Sequence, residues 1–211
     1  MKIEVKNICK SFKKTSVLQD VNVEFTAGKI YGLIGYNGSG KSVFLKLLCG
    51  FYEPTSGEIY FDGVGLKKSG LFPPSTRSLI EKPNFLSYLT GLENLKLLAN
   101  IQKQITEQQI IDTLEKVNLK NDMNKKYCEY SLGMKQKLGI AQVLMEDPEV
   151  MILDEPFNGI EDDTAKKLRK VLLEEKKKNK IIIIATHIKE DIEQLADVVY
   201  RLEEGKLKKI R

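Results

Sequence analysis

Gly35-Tyr36-Asn37-Gly38-Ser39-Gly40-Lys41-Ser42 joins a glycine-rich stretch to a Lys-Ser pair, between the apolar run 30–34 and the helix-like run 43–49. Glycines let successive backbone N–H groups turn toward one anion, and a helix opening at Gly40 aims the positive end of its dipole at the same point. Such a string predicts a phosphate-binding loop. In it Lys41 reaches the β- and γ-phosphates of a nucleotide, and the Ser42 hydroxyl ligates Mg²⁺. The backbone of Gly35, Tyr36, Asn37, Gly38, Ser39, Gly40 and Val43 completes the cradle.

Two further groups of residues fit the same chemistry. The apolar run 150–153 ends in Asp154-Glu155-Pro156. At the carboxyl end of a buried strand, Asp154 can hold Mg²⁺ through water, and Glu155 can polarise an attacking water as general base. His187, the only histidine, follows the run 181–186 in the equivalent place. Its ring can hydrogen-bond the terminal phosphate and orient the water beside Glu155. Taken singly, these strings also read as a glycine-rich turn, an acidic strand-to-loop turn and an incidental histidine. In one chain, each at the end of an apolar run, they converge on one site.

The elements that must position them alternate between strand and helix, which predicts an α/β fold with a mostly parallel sheet. Runs 150–153 and 181–185 are apolar throughout, as in strands covered on both faces, so they belong at the sheet's centre. Val21, Val23 and Phe25 alternate, as do residues 58–61 after a turn at 54–57, and both belong to a small antiparallel β region near the phosphate-loop strand. From 79 to 145 the pattern is helical. Thr90-Gly91-Leu92-Glu93 and Thr106…Gln109 are capping boxes, the second followed by Ile110, Ile111, Leu114 and Val117 on one face. A third helix starts at the N-cap Ser131 and runs to about Met145, before Asp147-Pro148. We expect one domain over 1–211: a nucleotide-binding core from 1–78 and 146–211 that carries the N-terminal β subdomain, and an inserted helical subdomain from 79–145.

A chain of 211 residues buries one sizeable core. Its formal net charge of +5 comes largely from lysine clusters such as Lys176-Lys177-Lys178, which reads as a solvated helix end. No aromatic-basic interleaving accompanies them, so no nucleic-acid partner is expected. No apolar run approaches the length of a membrane span, and 1–11 mixes Lys and Glu unlike a signal peptide. Cys9, Cys49 and Cys128 lack metal spacing and read as reduced thiols packed as small apolar residues.

Placed between the phosphate loop and the Asp-Glu strand, Tyr130-Ser131-Leu132-Gly133-Met134 resembles the signature motif of the ATP-binding cassette (ABC) ATPases, usually Leu-Ser-Gly-Gly-Gln. The resemblance covers essentially the whole chain, with 35–42 as Walker A, 151–155 as Walker B and His187 as the switch histidine. It implies a P-loop NTPase core, ATP and Mg²⁺ as cofactors, and catalytic roles for Lys41, Glu155 and His187. Phe12 stands where the family sets an aromatic ring against adenine. Glu81 stands where a glutamine that touches Mg²⁺ is usual. Two cassettes, alike or different, are implied, stacked so that the Ser131 hydroxyl and the Gly133 amide reach ATP held by Lys41 of the partner.

Tyr-Ser-Leu-Gly-Met-Lys-Gln is similar to the bacitracin-export type. That implies the cytoplasmic ATPase subunit of an exporter, peripheral on the inner face of the cell membrane, driving a separate transmembrane permease through the segment 81–93 with Phe85, Leu86 and Tyr88. The alternative is a soluble cassette acting on ribosomes or DNA, although the tandem cassettes or coiled-coil insertions usual there do not fit this length. A GTPase is disfavoured because Asn124-Lys125-Lys126-Tyr127 lacks the aspartate that reads guanine. Leu132, Met134, Glu81 and Glu161 depart from the usual motifs and bear on turnover more than on binding.

Overall fold

Alternating burial builds the first sheet, in the computed structural model that describes residues 1–66 and 72–211. Strand β1 (Lys2–Phe12) pairs antiparallel with β2 (Thr15–Thr26), setting Ile3 opposite Phe25 and Val5 opposite Val23. Ile3, Phe25 and Val5 are buried, with Ile8, Leu18 and Val21, while Val23 is half-buried. Strands β4 (Ser56–Phe61) and β5 (Val64–Gly65) complete an antiparallel sheet in the order β2-β1-β4-β5, the small β region expected.

The second sheet is the mostly parallel one. It contains β3 (Lys29–Ile34), β6 (Thr76–Leu79), β7 (Val150–Asp154), β8 (Ile181–Ala185), β9 (Val198–Glu203) and β10 (Lys206–Lys209), in the order β10-β9-β3-β8-β7-β6. Only the β9–β10 pair is antiparallel. Every residue of β7 and β8 is buried, which is what their unbroken apolar runs require of strands covered on both faces. Strands β3, β8 and β7 end side by side, so whatever follows each of them faces one crevice.

Helix α1 (Lys41–Leu48) leaves β3 through the glycine-rich loop. Between 80 and 145 the chain is helical: α2 (Gly91–Gln102), α3 (Glu107–Lys116) and α4 (Leu132–Leu144). Both capping boxes form, at Thr90 with Glu93 and at Thr106 with Gln109, each threonine being worth about 1 kcal/mol to its helix. Ser131 caps α4, accepting from the Met134 amide at 3.2 Å. Leu79, expected at the head of the helical segment, is instead the last residue of β6, paired with Leu153. Helices α5 (Asp162–Lys177) and α6 (Lys189–Leu195) flank β8 in sequence. Among the described residues, no helix is long and apolar enough to cross a membrane.

Two expectations for packing need correction. Cys49 is buried, with its thiol pushed up to about 12 by burial, but Cys9 is only half-buried and Cys128 is exposed. Cys128 lies in a 3-10 turn (Tyr127–Glu129) whose core position is taken by the Tyr127 ring. Phe85, grouped with Leu86 and Tyr88 for the permease contact, packs edge-on against Tyr127 with centroids 5.3 Å apart. Leu86 and Tyr88 are exposed.

Candidate functional site

The loop between β3 and α1 holds Gly38 and Gly40 at φ of +79° and +102°, a region that side chains with a Cβ avoid. A Cβ at Gly40 would also come within 3.1 Å of Val17. This turn brings the Lys41 ammonium back across the loop, where it donates to the carbonyls of Gly35 at 2.7 Å and Tyr36 at 3.1 Å. The ammonium is thus held, buried, at the mouth of the loop, where an arriving phosphate oxygen can take the place of a carbonyl.

Ser42 starts the same helix and donates to Asp154 Oδ2 at 2.6 Å. Burial raises the Asp154 carboxyl above its ordinary value, the Ser42 hydrogen bond opposes this, and the neighbouring Glu155 charge adds to it. A hydroxyl and one carboxylate, both hard oxygen donors beside a phosphate loop, suit Mg²⁺, which takes few protein ligands and completes its shell with phosphate and water. No group of three or more His, Cys, Asp or Glu among the described residues could hold a metal by itself. Glu81, at φ +66°, lines the same cavity but is ion-paired with Lys46 of α1.

That cavity, about 780 Å³, is bordered by Phe12, Asn37, Gly38, Gly40, Lys41, Ser42, Val43, Glu81, Asp154 and Glu155. Phe12 at its rim is 40% exposed, meets Tyr52 edge-on at 5.5 Å and has the Lys10 ammonium over its ring at 4.8 Å. Tyr36 is 79% exposed. A second cavity of about 710 Å³ shares Asn37, Glu155 and Asn158 with the first and adds Gly35, Tyr36, Thr186 and His187.

Glu155 sits where the two cavities meet. Its backbone is in the left-handed region at φ +48°, a conformation that costs a non-glycine residue roughly 1–3 kcal/mol and must be held by its surroundings. Its amide donates to the Ala185 carbonyl at 2.8 Å, while Gln136 of α4 donates from Nε2 to the carbonyls of Glu155 and Pro156 at 3.0 and 3.1 Å. The side chain is fixed at both oxygens. Oε1 lies 2.7 Å from His187 Nδ1 and accepts from the His187 amide at 3.2 Å, and Oε2 accepts from Thr186 Oγ1 at 3.1 Å.

The structure therefore brings Lys41, Ser42, Asp154, Glu155 and His187 together from three strand ends. Ser131 and Gly133 do not line either cavity. The amino-terminal turn of α4 packs instead on the loop after Pro156, so closely that a Cβ at Gly133 would come 2.6 Å from the Gly159 carbonyl oxygen. Leu132, 59% exposed, lies over Gly159 and reaches the Lys41 cavity. Met134 packs on the helical core, and Glu161 stands exposed at the N-cap of α5 without a capping hydrogen bond. Gln136, Thr186 and Lys46 were not legible as site residues, because each acts on a partner far away in sequence or on a backbone group.

A family model described as ABC transporter matches residues 18–158. The chain is 42% identical over 205 residues to an uncharacterized ABC transporter ATP-binding protein, YybJ, of Bacillus subtilis (strain 168), covering 97% of this chain and 94% of that protein. It is 38% identical to the bacitracin transport ATP-binding protein BcrA of Enterococcus faecalis, covering 97% of this chain and 67% of that one. A solved ATP binding subunit of an ABC transporter superposes with a TM-score of 0.89 at 29% identity, over 99% of this chain and 88% of that one.

Proposed function

Because this chain belongs to the ABC transporter family, as an ATP-binding subunit that hydrolyses ATP, we propose that it powers an exporter whose membrane-spanning part is a separate permease. The observation that carries the catalytic part is the Glu155 carboxylate, fixed between His187 and Thr186 beside the Lys41 loop.

In this reading the backbone amides of 35–43 and the Lys41 ammonium bind the phosphates, and Phe12 stacks on adenine. Ser42 and Asp154 would hold Mg²⁺, which supplies neutralising charge to the phosphates when bound. Glu81 lies close enough to contribute once it leaves Lys46. Glu155 takes the proton of the attacking water. The ring of His187 adds a constraint of its own: while Nδ1 donates to ionised Glu155, donation from Nε2 to the terminal phosphate needs both ring nitrogens protonated.

Leu132 borders this chain's own Lys41 cavity, but Ser131 and Gly133 on either side of it do not. Their absence from that lining supports their use by a second cassette, so that ATP closes a dimer and hydrolysis reopens it. Exposed Leu86 and Tyr88, on the segment between β6 and α2, are the residues we assign to the permease contact, which would bring the chain to the cytoplasmic membrane face. Purification from membranes with ATP present tests the transport assignment. Recovery of a polytopic membrane protein with the chain is the expected result; a chain that carries none in any nucleotide state would favour the ribosome or DNA reading.

A further inference from the structure

The hydrogen bonds that fix Glu155 continue inward from Thr186. Thr186 Oγ1 lies 3.1 Å from Glu155 Oε2 and 3.3 Å from Asp191 Oδ2, and it accepts from the Ile188 amide at 3.1 Å. Asp191, 1% exposed, receives Arg169 at Oδ1, with Nε at 2.8 Å and a terminal guanidinium nitrogen at 2.6 Å. Arg169 is itself buried, lies over the Phe157 ring at 5.4 Å, and also reaches Glu190 at 3.2 Å. One ion pair thus touches the loop that follows Glu155, the loop that carries His187, and helices α5 and α6.

We propose that Arg169 and Asp191 are positioning residues for hydrolysis: Asp191, anchored by Arg169, sets the Thr186 hydroxyl that orients the Glu155 carboxylate toward His187. A threonine hydroxyl has one proton to share between two carboxylates. Arg169 occupies Asp191 Oδ1, so Oδ2 is left to share the Thr186 proton with Glu155 Oε2 in a three-centre bond, while the Ile188 amide takes a lone pair of the hydroxyl. Removing the Asp191 charge frees Arg169 and lets Thr186 rotate, and Glu155 then loses the contact at Oε2. Stability alone does not account for the pair, since a buried ion pair contributes little net stability over apolar residues of similar volume.

The inference rests on Glu155 being the base, and the experiment separates the two. ATP turnover is measured for E155Q, D191N, T186V and the D191N/T186V double variant of the full chain, with the imidazole ¹⁵N shifts of its only histidine, His187, read in each without nucleotide. D191N and T186V should each lower kcat about tenfold or more with KM for ATP unchanged, the scale expected for a misplaced catalytic group. The double variant should be no slower than T186V alone, because Asp191 acts through Thr186, and both single variants should move the His187 shifts. Where D191N does not fold, R169M/D191L, which keeps the volume apolar, should fold and show the same loss of kcat. Wild-type kcat and unmoved His187 shifts in folded variants, with E155Q inactive, would overturn the proposal, as would losses that multiply in the double variant. Normal turnover in E155Q would instead remove Glu155 as the base.

Discussion

Ser42, at the start of α1, and Asp154, at the end of β7, meet at 2.6 Å although 112 residues separate them in sequence. The contact holds a carboxylate in a buried place, and burial lifts its pKa above the ordinary value against the pull of the Ser42 hydroxyl. A raised carboxyl binds protons more tightly in the folded chain than in the unfolded one, so stability is full below the unfolded value and is lost as pH rises through the folded one. Asp154→Asn should therefore raise the melting temperature of the nucleotide-free chain near neutral pH, each kcal/mol being worth about 2–4 °C at this size. The gain should vanish as pH falls to the ordinary aspartate range, and Mg²⁺ with ATP should no longer add stability. A melting temperature below wild type at neutral pH would show that the carboxylate stabilises the fold.

Glu155 is placed to accept a proton, and its side chain is hydrogen-bonded to His187 and Thr186 rather than to the phosphate loop. Glu155→Gln should lower ATP turnover by about 10²–10⁴-fold, the contribution of a positioned general base, with ATP affinity retained. Isothermal titration with ATP and a steady-state assay on the same preparation check both halves. Loss of affinity in step with turnover would place the residue in binding instead.

A second buried carboxylate lies far from the phosphate loop, at the end of α5. Burial would raise Glu175, but hydrogen bonds from Lys178 and Lys180 more than reverse it, so its pKa is lowered. The stability this provides is present above the ordinary glutamate range and is lost as pH falls through the folded value. Glu175→Gln, which leaves the buried Lys180 with Asp147 as its remaining anionic partner, should cost about 1–3 kcal/mol at neutral pH. It should also flatten the acid side of the stability curve, measured by urea unfolding from about pH 2 to pH 7. A parallel, unshifted curve would contradict the pairing.

The legible parts of this molecule are those where chemistry and local pattern coincide. Lys41, Asp154, Glu155 and His187 each follow an apolar run or a glycine-rich turn, and the capping boxes at Thr90 and Thr106 are written within four residues. Strand β6 was hidden because Thr76, Arg77 and Ser78 are polar; their place is decided by pairing with β7, and Arg77 is held by Glu146. Arg169 and Asp191 carry no local sign of a site, since their meeting depends on how α5 and α6 pack beside β8. Nothing in the run 79–93 tells that Glu81 pairs with Lys46 of α1, or that Phe85 turns inward while Tyr88 stays out. Local strings specify which groups are present; long-range pairing decides which of them touch.

If one chain holds half of each ATP site, mixing two inactive variants should restore activity. Lys41→Ala and Ser131→Arg variants, each inactive alone, are combined in one preparation. If Ser131 serves the Lys41 loop of a second copy, the mixed dimer pairs both lesions in one site and leaves the other intact, so ATP turnover returns to a fraction of wild type. If the mixture stays as inactive as its components while nucleotide still drives the two variants to associate, Ser131 does not complete the partner's site and the shared-site dimer is contradicted.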